Sequence, residues 1–131
     1  MRRGSLRGQD GQAAAEMALV LPILTALVLA IAQFGIAFNN YLTITDATRA
    51  GARKAAVSRF TGDAGASAVL AVQAAAAGLD ASNLDVSVTS PNWAVPGSDV
   101  IVTATYPYAI NILGWTVKSG NLTSTTKERL E

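Results

Sequence analysis

MALVLPILTALVLAIAQFGIAF, residues 17–38, is the stretch on which the architecture turns. It carries no charged side chain and interrupts its apolar residues only at Pro22, Thr25, Gln33 and Gly35. At a rise of ~1.5 Å per residue, a helix of about 20 such residues crosses the ~30 Å hydrocarbon core of a bilayer once. The segment therefore reads as a transmembrane helix rather than the buried helix of a soluble protein. Working outward, Arg2, Arg3 and Arg7 precede it, whereas the first basic residue after it is Arg49. That bias keeps the N-terminus in the cytoplasm and sends the C-terminal part across the membrane. Pro22 removes a backbone donor near the start of the run, so a kink is expected there. Glu16 abuts the apolar run with no basic residue three or four positions away on its own helix. A carboxylate at the bilayer centre costs about 2.5–3.5 kcal/mol, and less near the interface. Glu16 thus either stays at the headgroup level or needs a partner.

The rest of the composition narrows the chemistry. Half of the 131 residues are apolar and 15% are charged, and the formal net charge is +1. With the membrane segment removed, about 90 residues remain for one small soluble module. A near-neutral chain has no broad basic surface to release counterions from nucleic acid, so no nucleic-acid partner is expected. Cysteine and histidine are both absent. That removes disulfides and the commonest general base, transition-metal ligands and activated nucleophile. Asp80, Asp85, Asp99, Glu128 and Glu131 are scattered rather than set in a calcium-ligand loop. No nucleophile–base pair, phosphate-binding glycine loop or paired carboxylates can be assembled from spacing. The expectation is a protein that is not an enzyme, with no catalytic residues, metal or cofactor.

Beyond the span, the pattern predicts a long helix to Ser58, then a small α+β module. Ala47, Gly51 and Ala55 recur every fourth residue and make a smooth stripe, with Arg49, Arg53 and Lys54 on other faces. Gly51 costs about 1 kcal/mol of helix propensity relative to Ala, which suggests a close neighbour. Ser58-Arg59-Phe60-Thr61-Gly62 reads as the helix exit, and Asp63 as a cap for a short helix from Ala64 to Ala77 with Val69, Leu70 and Val72 as its sticky apolar positions and Gly78 as its stop. The period then becomes two. Leu84, Val86 and Val88 mark one strand, and Val95-Pro96-Gly97-Ser98 a type II turn. Val100, Val102, Ala104 and Tyr106 mark a second strand, which Pro107 is expected to end. Tyr108 to Gly114 reads as an apolar connection, and Asn121 to Arg129 as a third, weaker strand. Three strands in an antiparallel meander need cover on one face, and the smooth helix is available to supply it. Trp93, Tyr106, Tyr108, Ile110, Ile112, Leu113 and Trp115 gather bulk in the turn and the last connection. Core filling is the simpler expectation for them; a patch for a partner subunit or the membrane surface is the other.

Two segments carry a family resemblance. GQAAAEMALVLPIL, from Gly11, resembles the opening of the TadE-like family of tight-adherence pilus systems, which are type IV pilin-like. TITDATRAGARKAAV, residues 43–57, is similar to that family's recurrent small-residue segment, with Thr48 where an alanine is usual. The resemblance implies a basic leader, residues 1–11, removed by a prepilin-type peptidase between Gly11 and Gln12. Glu16 would then be the fifth residue of the mature chain, placed to meet the freed amine of a neighbouring subunit during assembly. It also implies the division of the chain: residues 12–58 as the long helix, with its membrane segment at about 17–38, and residues 59–131 as the exported domain. The partners implied are the peptidase, other pilin-like subunits, pilus assembly proteins and the cytoplasmic membrane, with incorporation into a cell-surface pilus. Because a major pilin of that class is little more than the helix, the added module implies a minor subunit, or pseudopilin, of a pilus or related secretion machine. Two other functions fit the residues as well. One is a membrane-anchored cell-surface binding module; the other is a small secreted protein cut after Ala32, where Ala30-Ile31-Ala32 has the small-x-small pattern of a signal cleavage site.

Overall fold

The computed structural model describes residues 6–58, 60, 62–90 and 92–131. Arg2 and Arg3 of the expected leader, and Arg59 and Thr61 of the expected helix exit, lie outside the described residues. The chain forms α1 (Leu6–Val57), α2 (Ala64–Ala75), β1 (Asp85–Thr89), β2 (Asp99–Ile112) and β3 (Trp115–Arg129). The strands form one antiparallel sheet in the order β1-β2-β3. This is the α+β layout read from the sequence: a long apolar helix, a short second helix and a three-stranded antiparallel sheet.

The 52 residues of α1 run as one helix through Pro22, about 78 Å at the usual rise. Only its last part is covered. Ile44, Ala47, Ala52 and Ala55 of α1, Ala68 and Val72 of α2 with Ala76 just beyond it, and Val100, Val102 and Ala104 of β2 share a single core with Leu84 and with Leu130, which follows β3. The sheet faces divide as period-two spacing requires. Val100, Val102 and Ala104 point into the core, while Thr103 and Thr105 pair across the strands with Thr125 and Thr123 on the outer face (Oγ–Oγ 3.0 and 3.4 Å). The Val95–Ser98 turn closes through the Ser98 N–H donating to the Val95 carbonyl at 3.2 Å, with Gly97 at φ +82°. That positive φ is what a type II turn demands of its third residue.

Three local expectations are corrected. First, β2 does not stop at Pro107. The last β1 pairing on β2 is Asp85 with Thr105, so two residues later one edge of β2 is open, and a residue without an N–H is tolerated there while pairing with Asn121 continues on the other edge. Second, Tyr108 to Gly114 is not a connection but the second half of β2 and a two-residue turn, with β3 starting at Trp115. Leu113 and Gly114 both have positive φ, +50° and +86°, as a type I′ hairpin turn requires. Leu is unusual at that position, which is why the turn is hard to see in the sequence. Third, α2 ends at Ala75, before Gly78, and it buries Ala64, Ala68 and Val72 rather than its bulkier side chains; Leu70 is 65% exposed. The Asp63 carboxylate makes no capping bond, and the Ser67 N–H is taken by the Asp63 carbonyl instead.

Candidate functional site

The chemistry-bearing features of this chain lie along α1, and they divide at about Thr43. Below it, Leu19, Ile23, Leu27, Ile31 and Phe34 are all exposed. The apolar window of the helix buries none of its residues against the rest of the chain. A soluble protein does not leave such a surface in water. Phe34 and Phe38 stack on each other one turn apart, ring centroids 6.5 Å and planes 12° from parallel, on that same exposed surface. At the entry to the run, Gly11 and Gln12 are exposed, and the Gln12 amide Nε2 donates to Glu16 Oε1 at 3.1 Å. Sequence reasoning considered only charged partners for Glu16; the i,i+4 spacing of Gln12 and Glu16 was the signal for this neutral one. One carboxylate oxygen is thereby engaged on the same helix, and the other is left for a donor from elsewhere.

Above Thr43 the same helix is roofed. Ala47, Gly51 and Ala55 are buried. A Cβ on Gly51 would collide with the Val72 side chain and come within 3.1 Å of the Ala68 carbonyl oxygen and 3.5 Å of Val102. Gly51 is thus where α2 and the sheet both approach α1 most closely, and no larger residue fits. By contrast Gly35, lower on the helix, has nothing within 4 Å. Thr48 is fully buried, and its hydroxyl has three partners. It donates to the Thr45 carbonyl at 2.9 Å, and lies 2.9 Å from Thr126 Oγ1 and 3.4 Å from Ser124 Oγ. With its one proton given to the carbonyl, it accepts from the two β3 hydroxyls. This hydroxyl ties the helix to the last strand and satisfies the buried Ser124.

Elsewhere the acidic residues hold the fold's surface. Asp80 accepts from the Ser82 hydroxyl (2.7 Å), the Ser82 N–H (3.0 Å) and Asn83 (3.2 Å). The Ser82 hydroxyl first, then its N–H, hold the Asp80 carboxyl below its ordinary value. Asp99 pairs with Lys127 at 2.8 Å. Among the described residues, no group of three or more carboxylates gathers in metal-binding range. The shallow depression between Pro107, Tyr108, Ala109, Ser119, Gly120 and Asn121 is lined by no ionisable group except the Tyr108 phenol. The bulky residues of the turn and hairpin split into two sets. Trp93 and Tyr106 pack against the core, whereas Leu113 and Trp115 are 64% and 81% exposed. Core filling, the simpler expectation for all of them, fails for the hairpin tip.

An N-terminal helix whose first stretch is apolar and bare, and whose second stretch is roofed by a small antiparallel sheet, is the arrangement of a single-pass, pilin-like membrane protein. The model of the TadE-like protein family matches residues 11–53, the stretch that holds both the bare apolar run and most of the buried stripe. Over that third of the chain the helix resembles the TadE-like family, which is a structural, pilus-related one. No curated protein and no solved structure gives a match to the chain.

Proposed function

We propose that the protein is a minor pilin-like subunit, a pseudopilin, of a tight-adherence pilus or a related secretion machine. It is inserted with its N-terminus in the cytoplasm and its folded module outside, freed of residues 1–11 by a prepilin-type peptidase, and assembled laterally with other pilin-like subunits through residues 12–58. One observation carries this reading: the TadE-like match begins at Gly11, immediately before the Gln12–Glu16 pair, and covers a helix that is bare along its apolar length. Cutting after Gly11 creates an α-amine on Gln12. Glu16, four residues further along and engaged by Gln12 through only one oxygen, is suited to receive such an amine from an adjacent subunit inside a layer of low dielectric, where a charge pair is strong. Pro22 loosens the helix one to two turns beyond, which lets the entry segment adjust to a neighbour. Ala47, Gly51 and Ala55 serve a different end, holding the exported module to the helix.

Two variants test the reading. Glu16→Ala leaves insertion and processing intact and lowers the amount of protein recovered in crosslinked complexes with other pilin-like subunits; undiminished crosslinking refutes the role of Glu16. Gly11→Leu leaves the leader attached, and a mature-sized band from that variant refutes the cut site.

A further inference from the structure

The β2–β3 hairpin runs back along α1 toward the membrane segment. The direction follows from three contacts. At the C-terminal end of the sheet the Glu131 N–H donates to the Ala56 carbonyl at 3.4 Å. Further back along β3, Thr126 and then Ser124 meet Thr48, two turns lower on the helix. Between these contacts the C-terminal end of the sheet and the helix run side by side over about 12 Å of α1. From Thr126 to Trp115 the strand covers a further ~36 Å in the same sense. Phe38, the upper end of the apolar run, lies only ~15 Å below Thr48. A strand of that length reaches the level of Phe38 at any inclination to α1 below about 65°, which sets the hairpin tip beside the outer part of the membrane segment.

The chemistry of the tip matches that depth. Ile112 pairs with Trp115 around the Leu113-Gly114 turn, and Val117 projects from the bulge beside Ile110 and Asn111. Leu113, Trp115 and Val117 are 64%, 81% and 65% exposed. The Tyr108 ring lies over Gly120, 3.2 Å from where a Cβ would be, which stiffens the two strands where nothing else covers them. Between Asp99 and Glu128 the chain contains no carboxylate. Lys118, across from Ile110, has the reach to place its ammonium among phosphates while its stem stays with the apolar side chains. An exposed Trp with Leu, Val and Ile at the end of a stiff hairpin, next to a Lys and free of acids, is the side-chain set of a membrane interface.

We propose that this hairpin tip is a lipid-contacting element: Ile112, Leu113, Trp115 and Val117 enter the headgroup and upper acyl region of the leaflet from which α1 emerges. The module then has two points of attachment to the bilayer, the helix and the tip, which fixes its tilt about α1. The inference rests on α1 spanning the membrane and not on processing or pilus assembly.

The test uses the full chain reconstituted in phosphatidylcholine–phosphatidylglycerol vesicles. The sequence has two tryptophans and no cysteine, so Trp93→Phe leaves Trp115 as the sole reporter and Trp115→Phe leaves Trp93. With acyl chains brominated near the headgroup, Trp115 emission is quenched several-fold more than that of Trp93, and its emission maximum lies further to the blue in vesicles than in denaturant. A second pair of variants guards against a fold disturbed by the loss of Trp93: an environment-sensitive label on Val117→Cys reports an apolar surrounding, while the same label on Val95→Cys, at the opposite end of the sheet, reports water. Equal and weak bromolipid quenching of the two tryptophans, with a water-exposed label at position 117, overturns the proposal. A label signal at 117 that fades on dilution of protein in lipid, without bromolipid quenching, also overturns it and assigns the tip to a second copy of the chain. The presence or absence of residues 1–11 in these samples has no bearing on this result.

Discussion

The two halves of α1 are written in similar residues yet meet different surroundings. Both are rich in alanine, and each contains a glycine. Gly35 has open space where a side chain would be, whereas Gly51 is pressed by Val72, the Ala68 carbonyl and Val102. Large aliphatic side chains dominate below Thr43 and stay bare; small ones dominate above it and are buried, with Ile44 as the one large residue sealed in. The lesson concerns size more than polarity. Where lipid is the surroundings, bulk on the helix surface is what the apolar layer accepts; where another helix and a sheet must come close, bulk has to be removed from the helix and supplied by the partner, here Val72, Val100 and Val102.

That contrast can be broken most severely at Gly51. Gly51→Leu is expected to destabilise the folded module by more than about 3 kcal/mol, because one neighbour is a backbone carbonyl that cannot turn aside. Gly35→Leu should leave the same unfolding transition unmoved, as followed by Trp93 fluorescence in urea with the chain held in micelles. Ile44→Ala comes next, at about 3 kcal/mol for a fully buried aliphatic side chain, against no change in module stability for Leu27→Ala. Thr48→Ala should cost about 1 kcal/mol, because it leaves the Ser124 and Thr126 hydroxyls without their acceptor; a neutral result would deny the Thr48 link any structural part. Leu113→Asn should raise stability by about 1 kcal/mol, since Asn tolerates the positive φ that Leu holds at some cost. The smallest effect concerns pH. The Asp80 carboxyl is held below its ordinary value, so its bonds to Ser82 are in place above the usual carboxylate range and are lost as pH falls through the lowered value. The Ser82 amide resonance should titrate with a midpoint below 3.8, and Asp80→Asn should abolish that titration.

The legible parts of this fold were those with one dominant signal. An uncharged apolar run marked the span, the Ala47–Gly51–Ala55 spacing marked a smooth helix face, and Val100-Ile101-Val102 with Pro96-Gly97 before it marked a strand after a turn. The distal hairpin was illegible because its two cues pointed the wrong way. Pro107 argues against a strand unless one knows that β1 has already ended, which is a property of the sheet and not of the local sequence. Leu113-Gly114 lacks the Asn or Asp that usually announces a two-residue turn. The α2 face is hard to read for a related reason: Leu70 is the largest apolar side chain on that helix, yet the buried face is made of Ala64, Ala68 and Val72. At the helix entry, the Gln12–Glu16 bond was readable from spacing alone once neutral donors are counted.

The most direct test of the central claim, that α1 is processed at its entry and then lives with its lower half in the membrane, is the N-terminal sequence of the protein extracted from the membranes of its native cell. The account predicts a chain beginning at Gln12 and recovered only with detergent. A chain that begins at Gln33 and needs no detergent, or one from the membrane that still carries residues ahead of Gln12, contradicts it.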